Sequence, residues 1–396
     1  MGDFSTSKES LEFLKNRFRE YYEKKKVILP DRFARREFAF IFFGGKGMFR
    51  HLCFNKKKEL LDFLIEKSPA HAYYSTAFYK TPGAGTMQEK NWMGAELIFD
   101  LDSDHLRGVE KMSYAEQLDK VKKEFHKLVD DFLIGDFGFN EKNIELYFSG
   151  SRGYHCHVKD PEIFKLDSNE RREIVDYITG RDLKDSLVFH EQVTSKKRYG
   201  RKTFPGGKTL KMPKPNEPGW RGRISKGIIE IVDEIKNSDY PIEKLKEYGV
   251  KEKDAEKLLT DLSEERIKRI KEGNLDQSKA IRKFFLNSAL RKTTVSMSAG
   301  ETDEPVSCDV KRLIRLPGSL HGKTGFMVKK ISVDDIKKFE PLRDSIIMTD
   351  DPVKVDLKKP FNIKIKDEEF NLKQGKQEIP TFLAVFLIGI KMANII

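Results

Sequence analysis

The segment ELIFDLD at residues 96–102 constrains this chain more than any other, because it is an apolar strand that ends in two carboxylates. Side chains alternate across a strand, so Asp100 and Asp102 point to one face while their apolar neighbours point to the other. Two carboxylates on one face repel each other unless a cation lies between them. Such pairs hold the ions of two-metal nucleotidyl transfer, and Mg²⁺ favours carboxylates together with phosphate oxygens. The alternative is a solvated strand end, since aspartate also favours turns.

The length and the charge of the chain bound the classes of protein to which it can belong. Its 396 residues suffice for one large domain or for two to three smaller ones, and 38% hydrophobic residues allow a sizeable core. Lys and Arg number 75 against 63 Asp and Glu, which gives a formal net charge of +12. This excess favours a polyanionic partner, such as nucleic acid, a nucleotide or a membrane surface.

Three cysteines, Cys53, Cys156 and Cys308, are far apart in the sequence, and none belongs to a C-x-x-C pair. The sequence therefore predicts no disulfide framework and favours a reducing compartment. The N-terminus has neither a basic start nor an apolar run, so it does not resemble a signal peptide. The longest apolar segment, residues 382–390, is too short to span a bilayer. We expect a soluble intracellular protein.

Helices and strands intermix along the chain, which predicts an α+β fold. A capping box at residues 6–9 opens an amphipathic helix that continues to about Lys25. A glycine-rich turn between two apolar runs predicts a β-hairpin over residues 37–54. Further predicted elements are a helix at 56–67, a strand at 71–79, a helix at 114–133, and strands at 144–149 and 154–158.

The composition changes at residue 195. Residues 196–226 contain 11 Lys or Arg, one acidic residue, five Gly and four Pro, which predicts a loop or an irregular basic arm. Such an arm would contact nucleic-acid phosphates, with steep salt dependence, and the alternative is a solvated charge run. Its aromatic residues Tyr199, Phe204 and Trp220 either stack on bases or pack internally.

Two helical predictions follow for the C-terminal half. Polar helices at 228–290 indicate an inserted helical subdomain. A short apolar helix from Phe382 to Ile396 is expected to cap the core and not to meet a partner.

A second motif, SGSRGYHCHV at residues 149–158, places a glycine-hinged turn between two strands. Such turns expose backbone N–H groups and allow an anion to approach closely. Ser149, Arg152 and His155 can each donate hydrogen bonds to phosphate oxygens. His155 and His157 share a face and could bind zinc, but no third ligand lies nearby in the sequence. A hairpin turn with a surface arginine is the alternative.

The third motif covers residues 303–325, where acidic residues precede a basic strand and a glycine-containing turn. A third carboxylate from this segment would complete a metal site with Asp100 and Asp102. Arg315 and His321 could neutralise the charge of a triphosphate as pyrophosphate leaves. Taken alone, the segment favours a basic strand that is solvated on its outer face.

Taken together, ELIFDLD, SGSRGYH, and DEPV followed by RLIRLPGSLHGKTG resemble the catalytic (small) subunit of archaeal and eukaryotic DNA primase. The motifs occur in the order of that family and spread over residues 37–325. The resemblance implies a nucleotidyltransferase that makes short primers on single-stranded DNA from nucleoside triphosphates. It also implies the archaeo-eukaryotic primase fold, a mixed, mostly antiparallel catalytic sheet flanked by helices. Residues 1–226 and 291–396 would form the catalytic domain, and residues 227–290 the smaller inserted helical subdomain.

The resemblance assigns the metal-binding carboxylates. Asp100 and Asp102 match the first two catalytic positions. Asp303 matches the third, because it precedes His321 by eighteen residues as in the family pattern. Asp309 is the alternative for that role.

The resemblance also assigns the nucleotide-binding positions. Ser149, Arg152 and His155 match the triphosphate-binding motif of the family. Arg315 and His321 match its second nucleotide-contacting motif.

Other positions are matched less closely or depart from the family. Glu37 and Arg50 on the first hairpin match positions at the rim of the active site. Many members carry a zinc knuckle after the D-x-D strand, but His105 stands there without a cysteine, so we predict no zinc. Ser151 occupies a position where the eukaryotic enzymes tend to have a basic residue, so one phosphate contact is expected to be missing or supplied elsewhere.

The cofactors and partners follow from the resemblance. It implies a two-metal site for Mg²⁺ or Mn²⁺, a single-stranded DNA template, and ribo- or deoxynucleoside triphosphates as substrates. It further implies a heterodimer with a large primase subunit that carries an iron–sulfur domain, located in the cytoplasm on the nucleoid and not at a membrane.

Two other functions compete with the primase interpretation. A two-metal nuclease would need the same carboxylates but no triphosphate clamp, and the basic strand that precedes His321 argues against it. A catalytically silent nucleic-acid-binding subunit would have no physical need for clustered acids.

Overall fold

The computed structural model describes residues 6–24, 27–106, 108–109, 111–275, 279–295 and 306–396. Helices and strands intermix throughout these ranges, so the predicted α+β class is confirmed. The chain divides into two compact units. The first comprises Met1–Ile134, Gly138–Val175 and Ser296–Ile396, and the second comprises Gly135–Phe137 and Asp176–Val295. Both predicted limits of the insertion, residues 227 and 290, lie inside the second unit.

The helices are numbered in chain order. They are α1 (Lys8–Glu23), α2 (Lys57–Lys67), α3 (Tyr114–Lys127), α4 (Ser168–Thr179), α5 (Asp185–Val188), α6 (Gly219–Lys236), α7 (Pro241–Glu247), α8 (Glu252–Asp261), α9 (Glu264–Lys271), α10 (Lys279–Thr293), α11 (Pro341–Asp344) and α12 (Thr381–Gly389). A π-helical segment, Leu128–Ile134, follows α3 directly, so the predicted helix at 114–133 is formed in two parts.

The strands are numbered in the same way. They are β1 (Phe38–Ile41), β2 (Phe49–Leu52), β3 (His71–Ser75), β4 (Ala77–Tyr79), β5 (Trp92–Ala95), β6 (Leu97–Asp102), β7 (Ile144–Phe148), β8 (Gly153–Val158), β9 (His190–Tyr199), β10 (Lys202–Lys211), β11 (Asn274–Leu275), β12 (Leu313–Arg315), β13 (Lys329–Ile331), β14 (Pro352–Leu357), β15 (Phe361–Ile365), β16 (Glu368–Leu372), β17 (Gly375–Pro380) and β18 (Ala393–Ile395).

Local sequence signals fix the first helix. The Ser7 hydroxyl accepts a hydrogen bond from the Ser10 backbone N–H at 3.1 Å, which satisfies one donor left over at the helix N-terminus. Leu14 and Phe18 are one turn apart and both are buried. Helix α1 ends at Glu23, close to the predicted end.

The sheet that carries Asp100 and Asp102 belongs to the first unit. Its strand order is β13-β7-β8-β6, and each neighbouring pair is antiparallel. Asp100 lies opposite His155 of β8, and His155 in turn lies opposite Tyr147 of β7. These three side chains therefore share one face of the sheet.

The other face of this sheet is apolar. Phe99, Leu101 and Tyr154 are buried on it. Tyr154 stacks on Phe125 of α3, with the ring centroids 5.3 Å apart. Burial of this face fixes the register of β6, because a shift by one residue would turn both aspartates into the core.

A second antiparallel sheet of the first unit has the order β12-β3-β1-β2. Arg315 at the end of β12 lies opposite Tyr73 of β3. His71 at the start of β3 lies opposite Ile41 at the end of β1. Because side chains alternate along β3, His71 and Tyr73 point to the same face.

The predicted strand at 71–79 is in fact two strands, β3 and β4, which belong to different sheets. The break falls at Thr76. Its backbone N–H donates to the Arg312 carbonyl at 2.8 Å, and its carbonyl accepts from the Glu96 N–H at 3.1 Å. The sequence pattern was continuous, so only these long-range hydrogen bonds reveal the change of sheet.

A buried ion pair lies where the chain passes from one sheet to the next. Arg36 donates through Nη2 to Glu96 Oε1, and the two side chains are 0% and 1% exposed. Arg36 Nη1 also donates to the carbonyls of Ser75 and Thr76, at 2.8 and 2.9 Å. Burial alone would raise the pKa of the Glu96 carboxyl, but Arg36 and His157 hold that pKa at about 2.

The basic segment at 196–226 is not an irregular arm. In the second unit, β9 and β10 form an antiparallel hairpin, and α6 begins at Gly219. Gly200 has a φ of +59° at the turn, and the register shifts around Gly207. Glycine and proline suggested a loop because both residues disfavour strands, but here glycine forms the turn and the pair Pro205–Gly207 lies at a bulge.

The structure decides the role of one aromatic residue of this segment. Trp220 is 7% exposed, and its indole N–H donates to the Tyr177 carbonyl at 2.9 Å, so it packs internally. Tyr199 at the hairpin turn is 68% exposed. The side chain of Phe204 lies outside the described part of the chain.

The C-terminal apolar helix is shorter than predicted. Helix α12 ends at Gly389, and Lys391 has a φ of +64°, which ends the helical path. Ala393–Ile395 then form β18, which pairs with β14. Every residue from Phe382 to Ile388 is buried, as expected for a helix that packs on the core. Among the described helices, none combines the length and hydrophobicity needed to cross a lipid bilayer.

Arg36→Met is expected to destabilise the first unit by roughly 3–5 kcal/mol, because it leaves the Glu96 carboxylate buried without its counter-charge. The two tryptophans of the chain lie in different units. Urea unfolding followed by Trp92 fluorescence in a Trp220→Phe background therefore reports on the first unit. The control Arg35→Met removes an exposed arginine and should cost less than about 1 kcal/mol. Equal losses in the two variants would contradict this role of the ion pair.

Acid should weaken the first unit as the pH falls from about 4.5 to about 2. Glu96 is buried and Glu145 is partly buried, but cationic partners hold the pKa of each at about 2. A carboxyl with a lower pKa in the folded chain stabilises it above the unfolded pKa, and this contribution is lost as protons bind. The urea midpoint from Trp92 fluorescence should decrease as the pH is lowered from about 5 to about 3. The midpoint of Glu96→Gln should decrease less over the same range. Identical slopes for both proteins would count against the assignment.

Candidate active site

One cavity of the first unit brings most of the sequence-predicted site residues together. Its volume is about 750 Å³, within the range typical of small-molecule sites. The predicted residues that line it are Asp100, Asp102, Ser149, Arg152, His155, Arg315 and His321. The other lining residues are Ile41, His71, Tyr73, Tyr114, Ser151, Arg312, Leu313, Ile314, Lys323, Thr324, Phe361, Phe386 and Ile390.

Asp100 and Asp102 face the cavity from the end of β6. Their side chains are 24% and 31% exposed. Burial raises the pKa of the Asp102 carboxyl; the Asp104 backbone N–H and Arg152 oppose the rise, while the carboxylates of Asp100 and Asp104 add to it. A bound cation would relieve this repulsion, so the pair has the electrostatics of a cation site.

The turn between β7 and β8 is held by its own serine. Ser149 Oγ accepts hydrogen bonds from the N–H groups of Gly153 at 3.2 Å and of Ser151 at 3.4 Å. Gly150 has a φ of +82°, and a Cβ at this position would lie 2.9 Å from the Cβ of His321. Only glycine therefore lets this turn pack against the turn that carries His321.

Two hydroxyl groups fix the same turn from outside. Thr324 Oγ1 donates to the Gly150 carbonyl at 2.5 Å, and the Tyr114 hydroxyl donates to the Ser151 carbonyl at 2.7 Å. Ser151 contributes no charge, so Arg152 is the cationic side chain of this turn.

Arg152 lies at the solvent edge of the acidic pair. Its Nη2 pairs with Asp104, its Nε is 3.9 Å from Asp102 Oδ1, and its side chain is 41% exposed. Arg152 thereby supplies part of the counter-charge of the carboxylates and stays accessible to an anion in the cavity.

His155 connects the turn to the carboxylates. Its Nε2 lies 3.4 Å from Asp100 Oδ1, and the imidazole is 5% exposed. Within the described part of the chain, its buried Nδ1 has no hydrogen-bond partner. Burial lowers the pKa of His155 to about 4, although Asp100 opposes the shift. The imidazole is therefore neutral at physiological pH and donates a hydrogen bond without supplying charge.

Arg315 and His321 reach the cavity from β12 and from the turn that follows it. The Arg315 guanidinium lies over the ring of Tyr73, 5.0 Å from its centroid. Arg315 Nη1 donates to His71 Nδ1 at 2.8 Å. Burial lowers the pKa of His321 well below its usual range, and Arg315 and His71 lower it further. This imidazole is also neutral at physiological pH.

The cavity carries more positive than negative charge. Because both imidazoles are neutral, the positive charge comes from arginine and lysine. The basic lining residues are Arg152, Arg312, Arg315 and Lys323, and the acidic ones are Asp100 and Asp102. This arrangement suits a polyanion that also brings a cation, as a metal-bound triphosphate does.

Sequence reasoning missed several lining residues. His71 and Tyr73 alternate on β3 in the same way as the two aspartates on β6, so a signal for them existed. Phe361 and Phe386 form an apolar wall from the C-terminal segment, with ring centroids 6.4 Å apart. No local pattern indicates that this segment returns to the cavity.

Glu37 and Arg50, predicted for the rim, do not line this cavity. Glu37 is buried and accepts hydrogen bonds from Arg50 Nε at 3.0 Å and from the His51 N–H at 3.2 Å. The buried Lys90 Nζ lies 3.5 Å from the same carboxylate. Burial would raise the pKa of Glu37, but Arg50 and Lys90 lower it overall. The two residues thus belong to an ion cluster of the first unit in which Glu37 and Lys90 are buried and Arg50 is exposed.

The third predicted carboxylate, Asp303, lies outside the described residues. Asp309, the alternative, does not line the cavity, and its Oδ1 accepts from the Lys311 N–H at 2.8 Å. Within the described ranges, no group of three or more His, Cys, Asp or Glu residues is arranged to hold a metal ion. The described part of the site therefore contributes two carboxylates, Asp100 and Asp102.

Comparisons with known proteins agree with this geometry. The sequence model of a family described as DNA primase small subunit matches residues 99–333. The chain is 43% identical over 394 residues to the DNA primase small subunit PriS of Methanosarcina barkeri, which covers 95% of this chain and 94% of that protein. It is 42% identical over 399 residues to the same subunit of Methanothrix thermoacetophila, with coverage of 97% and 98%. For Thermoplasma volcanium the identity is 36% over 392 residues, with coverage of 98% of both chains.

These archaeal relatives are matched along nearly their whole length, and the family match includes the segments that form most of the cavity. The chain therefore belongs to the DNA primase small subunit family, the nucleotidyltransferases that form the catalytic subunits of DNA primases.

Proposed function

We propose that this chain joins nucleoside triphosphates into short primers on single-stranded DNA, as the catalytic subunit of a DNA primase in replication. Family membership supports primer synthesis. One geometric observation supports the site: Asp100 and Asp102 share a cavity with Arg152 and Arg315. Both ribo- and deoxynucleoside triphosphates present the triphosphate that this charge arrangement fits.

The family implies catalysis by divalent metal, and the two described carboxylates fit such ions. Carboxylate oxygens are the ligands that hard cations prefer, and both side chains reach the cavity. Asp100, Asp102 and Asp303 would hold Mg²⁺ or Mn²⁺, and no zinc is proposed. When bound, two such ions activate the attacking 3′-hydroxyl and stabilise the leaving pyrophosphate.

The side chains of the cavity would hold the triphosphate in line with the attacking hydroxyl. In the reaction the 3′-oxygen bonds to the α-phosphorus, pyrophosphate leaves, and the hydroxyl proton passes to solvent. Arg152 and Arg315 are charged, so they would offset the negative charge that develops on the leaving group. His321 would donate a neutral hydrogen bond to a phosphate oxygen, whereas the single N–H of neutral His155 would be directed at Asp100 and orient that carboxylate. Ser149 keeps the turn in place, because its oxygen already accepts two backbone N–H groups.

Glu37 and Arg50 are proposed to support the rim. Glu37 binds the Arg50 side chain and the backbone of β2, while Ile41 at the end of the paired strand β1 lines the cavity. Loss of Glu37 would release this hairpin, so its effect on catalysis would be indirect.

The relatives are named small subunits, which supports a large primase subunit as the partner of this chain. We place an iron–sulfur domain in that partner and the complex on the nucleoid, in the cytoplasm. We assign the archaeo-eukaryotic primase fold, with residues 1–226 and 291–396 as the catalytic domain and residues 227–290 as the helical insertion.

The hairpin of β9 and β10 is proposed to contact template phosphates. Residues 192–216 contain no acidic residue. Arg198, Arg201 and Lys202 at the hairpin turn are exposed, and Tyr199 between them is 68% exposed. Cations beside an accessible aromatic ring fit a nucleic-acid strand, because the cations contact phosphates and the ring stacks on a base.

The double variant Asp100→Asn/Asp102→Asn should lose at least roughly 10²-fold in nucleotide incorporation and keep its affinity for single-stranded DNA. The measurement is incorporation of labelled nucleotides on unprimed single-stranded DNA with Mg²⁺ or Mn²⁺, beside DNA binding by fluorescence anisotropy. Asp62→Asn/Asp119→Asn, at exposed positions of α2 and α3, serves as the charge-matched control and should retain activity. A wild type that makes no product even with its large subunit would leave the nuclease or the binding subunit as the function. A variant that also lost DNA affinity would contradict this division of roles.

The triple variant Arg198→Ala/Arg201→Ala/Lys202→Ala should weaken binding of single-stranded DNA. The slope of log affinity against log salt should fall by about 2, since each phosphate contact on a single strand contributes about 0.7. Lys251→Ala/Lys253→Ala/Lys257→Ala removes the same charge from another exposed surface of the second unit and should leave the slope unchanged. If both triple variants shift the slope equally, net charge alone explains the binding and the hairpin has no special role.

A further inference from the structure

His71 lines the cavity and makes hydrogen bonds to two residues that lie far from it in the sequence. It begins β3, next to Ile41 of β1, and shares the cavity-facing side of the strand with Tyr73. The residue is partly buried, and its ring lies edge-on to that of His321, with the centroids 4.8 Å apart.

The ring nitrogen Nδ1 of His71 accepts two hydrogen bonds. One comes from Arg315 Nη1 at 2.8 Å and the other from the Gly322 backbone N–H at 3.2 Å. A guanidinium and a backbone amide can only donate, so Nδ1 carries a lone pair and the ring proton lies on Nε2. Burial, together with Arg315 and Lys323, lowers the pKa of His71 to about 3, which agrees with a neutral ring.

The two donors belong to the two segments that present the nucleotide-binding side chains. Arg315 ends β12, and Gly322 directly follows His321 in the next turn. This turn is pressed against the residue before β3, because a Cβ on Gly322 would lie 2.7 Å from the Ala70 carbonyl oxygen. The imidazole of His71 therefore connects the Arg315 guanidinium to the backbone of the His321 turn through two hydrogen bonds.

The hydrogen bond to His71 also sets the orientation of the Arg315 guanidinium. One N–H of Nη1 is used by His71, and the guanidinium plane rests over Tyr73. A guanidinium has five N–H donors in a fixed planar fork, so fixing one of them sets the direction of the remaining donors. A long arginine side chain without such a hydrogen bond would lose its rotamer freedom only when the ligand binds, and this loss of entropy would weaken binding.

We infer that His71 is a positioning residue that holds Arg315 and the turn at His321 in one arrangement, so that both meet the same triphosphate group of a nucleoside triphosphate. The inference rests on the proposed function. It assigns His71 no contact with the reacting atoms, and its effect passes through Arg315 and the Gly322 amide.

The test compares three substitutions in the full-length chain by steady-state kinetics on a primed template at saturating DNA. In His71→Asn, the amide oxygen can take the place of Nδ1 as acceptor, whereas His71→Gln moves the acceptor outward and His71→Leu removes it. Leu and Gln should raise KM for the nucleoside triphosphate roughly tenfold, as expected for a lost hydrogen bond to a charged group, with kcat changed far less. Asn should restore most of the affinity.

A double-mutant cycle with Arg315→Ala provides the second measurement. In that background, His71→Leu should add little further increase in KM, because the residue through which His71 acts is already absent. The positioning role of His71 is contradicted if His71→Asn and His71→Gln raise KM equally. It is also contradicted if His71→Leu still raises KM tenfold in the Arg315→Ala background. Unfolding midpoints from Trp92 fluorescence identify a variant that fails to fold, and the Asn and Gln pair then decides the outcome. An inactive wild type would refute the proposed function, whereas an active wild type with unchanged KM in His71→Gln and His71→Leu refutes only the role of His71.

Discussion

The buried Arg36–Glu96 ion pair is the interaction on which the arrangement of the first unit depends. The two sheets that face the cavity share no strand in the described part of the chain, and the residues that flank their strands connect them. The Glu96 backbone N–H donates to the Thr76 carbonyl at 3.1 Å, beside this ion pair. Arg36 precedes β1, Glu96 precedes β6, and Arg36 also binds the carbonyls at the end of β3. A fully buried charge pair tolerates little displacement, because any separation leaves a charge without solvent or partner. The strands that lead from this pair carry Asp100 and Asp102 on one side and His71 on the other.

Histidine and arginine side chains have different electrostatic roles in the cavity. Burial makes the imidazoles of His71, His155 and His321 poor bases, so they act as neutral hydrogen-bonding groups. The guanidinium groups keep their charge and supply the attraction for an anion. Neutral rings beside charged arginines avoid further repulsion among the cations before a nucleotide binds, and the partly exposed carboxylates of Asp100 and Asp102 remain available for a metal ion.

The success of prediction from the sequence varied with the range of the interactions involved. The two-faced strand at Asp100 and Asp102 follows from the alternation of side chains, and the glycine-hinged turn at Gly150 follows from its composition. The sequence predicts a loop where the basic hairpin lies, because strand pairing between β9 and β10 does not depend on an apolar pattern. The change of sheet at Thr76 was invisible for a similar reason, since its cause is a pair of hydrogen bonds to distant segments. The roles of Asp303, Glu37 and Arg50 stay predictions, and so do the domain limits at residues 227 and 290.

The amino-acid sequence alone predicts the family, the α+β class and the common direction of Asp100 and Asp102. These properties are local, because motifs and the period of a strand are written in neighbouring residues. Contacts between distant parts of the chain bring His71 to Arg315, 244 positions away, and place Phe361 and Phe386 of the C-terminal segment against the same cavity. The fold also makes the imidazoles of His71, His155 and His321 neutral, because the pKa of an imidazole depends on burial and on the charges packed around it, and neither is encoded in its immediate sequence.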